Sequence, residues 1–119
     1  MDKWQAQDTY WNSFGLPAYN ELTVREDAVM PYITYQAVTG SLTGVMTVSG
    51  NLYYRGNSWA PIMQKATAME PLIDREIKID GGYVKFRKPV ANFAQPMSDA
   101  NDKQVRRILL TVEVEFLSA

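Results

Sequence analysis

The sequence contains no cysteine and no histidine. Without cysteine there is no disulfide framework, no thiolate zinc site and no cysteine nucleophile. Without histidine the chain lacks the commonest general base near neutral pH and the commonest transition-metal ligand. Triad hydrolysis and histidine–zinc chemistry are excluded together, which leaves carboxylate or lysine catalysis, or none. An excess of one charge is also missing. Twelve Lys and Arg stand against thirteen Asp and Glu, a formal net charge of -1, so no global basic field draws the chain onto nucleic acid or a membrane. Long apolar runs are absent too. The opening Met1-Asp2-Lys3-Trp4-Gln5-Ala6-Gln7-Asp8 lacks the apolar core of a signal peptide, and no stretch has the length that a membrane span needs. These absences predict a soluble, intracellular protein with no membrane partner.

What is present is ordinary for a globular domain: 119 residues, 46% of them hydrophobic and 21% charged. A chain of this size buries roughly two-thirds of its unfolded surface, enough for one core. No repeat, low-complexity tract or linker divides it, so a single domain over residues 1–119 is expected.

Local patterns give the elements. Between Asp2 and Phe14, Trp4, Trp11 and Phe14 recur at helical spacing with Tyr10 beside them, and Gly15 and Pro17 follow. This predicts a short amphipathic helix with its aromatics in the core. Residues 16–30 hold no period, and Glu21 with the run Arg25-Glu26-Asp27 marks a long exposed loop. Such a loop serves either as a docking element or as a plain connector. Strands follow at Tyr32–Val38 and at about Thr43–Arg55, with Gly50 as a bulge or bend. In the second of these, Met46, Val48, Leu52 and Tyr54 share one face and Thr47, Ser49, Asn51, Tyr53 and Arg55 the other.

Asn57 or Ser58 caps a second helix with Pro61 in its first turn; Ile62, Met63, Ala66 and Met69 form its apolar stripe, extended by Ile73. Ile77-Lys78-Ile79 and Tyr83-Val84-Lys85-Phe86 flank Asp80-Gly81-Gly82 as a hairpin. A short strand near 90–95 follows Pro89, then a polar loop over 98–104 and a last strand from Val105 to Leu117. That strand alternates Ile108, Leu110, Val112, Val114 and Phe116 with Leu109, Thr111, Glu113 and Glu115. The expected fold is α+β, a mainly antiparallel sheet of four to five strands with two helices on one face.

Motif tests mostly fail. Counted from Asp99, the calcium-loop pattern would need Gly and Glu where Gln104 and Leu110 stand. Gly81-Gly82 lies inside a hairpin, not between a strand and a helix, so it is no phosphate cradle. Lys85, Arg87 and Lys88 with Tyr83 and Phe86 interleave bases and aromatics as single-strand binders do, but the chain as a whole is not basic. The polar sheet face is the better candidate. Tyr53, Arg55, Tyr83, Lys85, Arg87, Glu113 and Glu115 should share it. Their charges serve either as cross-strand pairs or, with the tyrosines, as a protein–protein interface.

One resemblance extends nearly end to end. It is carried by Pro31-Tyr32-Ile33-Thr34-Tyr35, Leu52-Tyr53-Tyr54-Arg55 with Ser58-Trp59, and Asp80-Gly81-Gly82-Tyr83. Phe93-Ala94-Gln95-Pro96-Met97 with Asp99, Arg106-Arg107-Ile108 and Val114-Glu115-Phe116-Leu117 continue it. In order and spacing the chain resembles the small tail terminator or tail-completion proteins of long-tailed bacteriophages, a group of minor structural proteins. The resemblance implies a ring, commonly hexameric, that caps the tail tube, ends its growth and docks to the head connector. Its implied partners are further copies of the chain, the tail tube protein and the head–tail connector protein. It implies no enzyme activity, no cofactor, no metal and no specific nucleic acid, and a place in the virion tail after assembly in the host bacterial cytoplasm. The family supplies no residue roles to carry over. Interface candidates are therefore the seven polar-face residues above, with Glu21, Arg25, Glu26 and Asp27 as docking-loop candidates. The alternative is a small soluble binding module that uses the Lys85–Lys88 patch, with nucleic acid as a candidate ligand.

Overall fold

A computed structural model of the chain describes residues 1–38, 44–90, 92–98 and 102–118. Helix α1 spans Lys3–Asn12. Asp2 caps it: its carboxylate accepts from the Gln5 N–H at 2.8 Å, and the Gln5 side chain accepts from the Asp2 N–H at 2.9 Å. Gly15, at φ 89°, turns the chain out of the helix. Three strands follow, β1 at Ala18–Asn20, β2 at Tyr32–Tyr35 and β3 at Val45–Arg55. Helix α2 covers Ala60–Met69 with a 3₁₀ turn at Glu70–Leu72. Strands β4 (Arg75–Ile79), β5 (Gly82–Arg87), β6 (Ala94–Met97) and β7 (Val105–Ser118) complete the chain.

The class is α+β, but the sheet is larger than the four to five strands expected. It has seven, in the order β1-β2-β3-β7-β5-β4, with β6 also paired to β7. The unforeseen strand is β1, while the short strand expected near 90–95 forms slightly later as β6. Strand β1 lies inside the segment read as loop and pairs parallel with β2. Strand β6 pairs with residues 107–110 on the side of β7 whose other stretch holds β5. The β7 strand is the beam of the fold: β3 runs antiparallel along its residues 105–115, while β5 and β6 share the opposite side.

Period-2 alternation sets the two faces. Val48 and Leu52 on β3, Val84 and Phe86 on β5, and Ile108, Leu110, Val112 and Val114 on β7 are buried on the covered face. Both helices press on it. Tyr10 of α1 stacks on Phe86 at 3.7 Å between ring centroids, and its hydroxyl donates to the Ile73 carbonyl at 2.8 Å. Ile62, Ala66 and Met69 of α2 are buried in the same core. Lys65, midway along α2, donates to the Phe14 carbonyl just beyond α1.

Several local expectations change. Trp4 is not core-facing; half of its surface is exposed, because α1 lays Ala6, Gln7, Tyr10 and Trp11 inward and its first turn stands clear. Met63 likewise sits at the open margin of the α2 stripe. Gly50 makes no bulge. It pairs in register with Tyr35 on one side and Leu110 on the other. Its reason is space, since a Cβ there would stand 2.8 Å from the Thr34 carbonyl oxygen and 3.1 Å from the Trp11 ring. Residues 39–43, between the two strands expected at Tyr32–Val38 and Thr43–Arg55, and residues 99–101, which open the rejected calcium loop, lie outside the described residues.

Candidate functional site: the open sheet face

Opposite the helices, no element among the described residues covers the second sheet face, and all seven predicted interface residues lie on it. Register divides them into two groups. At one end Tyr32 is opposite Tyr53, Tyr53 opposite Arg107 and Arg107 opposite Met97. At the other, Glu113 lies between Thr47 and Arg87, Glu115 between Val45 and Lys85, and Tyr83 between Leu117 and Lys78. Six residues of extended strand separate the Arg107 and Glu113 rows, about 20 Å. The candidate site is therefore two patches on one face.

The first patch is aromatic. Tyr32 packs between Tyr19 and Tyr53, with centroids 5.8 and 5.3 Å away. Burial, and then the neighbouring Tyr53, raise the Tyr32 phenol above its ordinary range. Arg107 donates to the Asn51 side chain at 3.0 Å, and Arg55 to Asp102 at 2.9 Å. The Gln104 N–H, and then Arg55, hold the Asp102 carboxyl below its ordinary range. Of this group the sequence reading found Tyr53 and Arg55 but missed Tyr19 and Tyr32. Tyr19 sits in the three-residue β1, which carries no alternation of its own.

The second patch is a charge ladder satisfied in part within the subunit. Arg87 reaches diagonally to Glu115 at 3.3 Å, although Glu113 is its direct cross-strand neighbour. The Nε of Arg87 is buried without a hydrogen-bond partner among the described residues. Lys85 lies between Glu76 and Glu115 in register. The ladder thus supports the cross-strand option for Arg87 and Glu115. Tyr83 and Leu117 remain exposed at its rim.

The docking-loop residues Glu21, Arg25, Glu26 and Asp27 are all exposed. Arg25 holds Asp27 by two nitrogens, at 3.0 and 3.1 Å. Leu22 and Val29 in the same loop are 85% and 79% exposed.

The Lys85–Lys88 patch lacks the interleaving that the sequence suggested. Phe86 is buried under Tyr10, Arg87 is engaged by Glu115, and Asp74 and Glu76 line the same cavity as the bases. Among the described residues, no three acidic side chains gather as a metal site requires, and no helix is long and apolar enough to cross a membrane. No protein-family model, curated protein or solved structure matches the chain.

Proposed function

We infer that this chain is a structural, non-enzymatic subunit of a bacteriophage tail, a terminator that rings the end of the tail tube, stops its growth and presents a surface to the head connector. The reading draws on the resemblance in residue order described above. The observation that carries it is the open face: one side of a seven-stranded sheet bears tyrosines, arginines and a charge ladder, with no helix among the described residues laid over it. Tyr and Arg are enriched where proteins bury hot spots against partners, and a surface of this kind suits stacking of subunit on tube or subunit on subunit. In this reading the protein works in the virion tail after assembly in the bacterial cytoplasm, with itself, the tube protein and the connector as partners.

The experiment is made on virions. Tails assembled without this chain should be irregular in length by electron microscopy and fail to join heads, and supplying the chain in trans should restore both. Tails of normal length that join heads in its absence would overturn the reading.

A further inference from the structure

One end of the molecule carries two surfaces of opposite charge at opposite edges of the sheet. Across this end the strands run β1-β2-β3-β7-β6, so the outer two stand four spacings apart, about 19 Å. At the β1 edge, the loop leading to β2 holds Glu21, Glu26 and Asp27 against Arg25, which is already bound to Asp27. Leu22 and Val29 project from the same loop into solvent. At the β6 edge, Trp59, Ser98, Lys103, Val105 and Arg106 line an open groove of about 450 Å³. The Arg106 guanidinium lies 5.3 Å from the Trp59 ring centroid, and its Nε is buried with no hydrogen-bond partner among the described residues. Arg55 flanks the groove beside Asp102. No ion pair joins the loop to the groove among the described residues; the loop's own pair is internal.

We propose that the acidic, apolar-tipped loop at residues 21–29 of one copy docks in the basic, Trp59-based groove of the next. Two different patches of one chain that match in charge and polarity are what a heterologous, head-to-tail contact requires, and such contacts close into rings or run on as filaments. Glu21 and Glu26 would face Lys103 and Arg106, while Leu22 or Val29 covers the Trp59 ring. The choice of a second copy as occupant rests on the assembly reading above. The contact lies at the sheet edges, which leaves the open face for the tube or connector.

Charge exchange tests it. Sedimentation of the wild-type chain, followed to about 1 mM, where even weak contacts populate, should show self-association that salt weakens. E21K/E26K and K103E/R106E should each weaken it by about tenfold or more, and an equimolar mixture of the two should regain it as reversed loop meets reversed groove. K103E alone changes an exposed side chain and repeats the test should R106E disturb the Trp59 contact. Wild-type association in E21K/E26K, or no recovery on mixing, overturns the edge contact and leaves the tail reading standing. A wild type that stays monomeric throughout overturns it too, and the tail-length experiment then decides the wider reading alone. Salt-sensitive capture of the tube protein or of single-stranded DNA by the groove, abolished by K103E without any self-association, would assign the groove to that occupant instead.

Discussion

Single side chains decide more here than composition suggests. Gly50 is held by two neighbours at once, the Thr34 carbonyl and the Trp11 ring, so an added methyl group must push strand from strand or the helix off the sheet. Gly50→Ala should lower unfolding free energy by about 1–3 kcal/mol, measurable by urea denaturation with an unchanged m-value. Gln7 is a buried polar residue on the inner face of α1; its amide donates to the Val38 carbonyl and accepts from the Val38 N–H, both at 2.8 Å, extending the order of β2 by a side chain where no strand continues. Burial raises the phenols of Tyr10 and Tyr35 above their ordinary value of 10, aided at Tyr10 by Asp74 and at Tyr35 by its hydrogen bond to Asp8. The folded state therefore holds these protons more tightly than the unfolded state does. Their contribution is complete below about pH 10 and declines as pH rises beyond it. Melting temperature should fall more steeply above about pH 10 in the wild type than in Tyr10→Phe, whatever the offset between the two at neutral pH.

The elements show which signals reach the sequence. Strands β3 and β7 were legible down to their faces because their alternation is long and the middle of one side is buried. The β4–β5 hairpin was legible from Asp80-Gly81, and Gly81 indeed takes φ 82° in the two-residue connection between Ile79 and Gly82. Strand β1 was not. Ala18-Tyr19-Asn20 is a strand only because β2 lies beside it, a pairing that depends on the rest of the sheet. Trp4 illustrates the reverse error, since helical spacing gives a direction but not the extent of the surface being covered. A contrast within β7 checks the face assignment. Leu110→Ala should cost about 2–5 kcal/mol, because Leu110 is fully buried. Leu109→Ala, on the open face, should cost well under half as much in the same denaturation series.

At the scale of the whole molecule, the candidate site was legible as a list of residues but not as a geometry. Composition and alternation placed tyrosines, arginines and glutamates on one face; only the registers separate them into an aromatic end and a charged end. The same registers turn one option into a measurable quantity. Because Arg87 and Glu115 meet within a subunit, their side chains 36% and 26% exposed, the pair should contribute about 0.2–1 kcal/mol. Reversing Glu113 and Glu115 to Lys should therefore lower the melting temperature of the isolated chain by a few degrees, and by less in high salt, while circular dichroism retains the native signature. A variant with unaltered melting temperature would show that the ladder is not used within the subunit.

The position of β7 has a consequence for synthesis on the ribosome. Strands β3, β5 and β6 all emerge before it, and each has its main partner in it. Until residues 105–118 leave the exit tunnel, β3 and β5 have no shared strand and the core has no Ile108, Leu110, Val112 or Val114. Until then the nascent domain must carry unpaired edges and bare apolar faces. Folding is thus concentrated in one late, long-range event. Premature termination anywhere upstream yields not a smaller version of the domain but a chain fit only for chaperones and proteases.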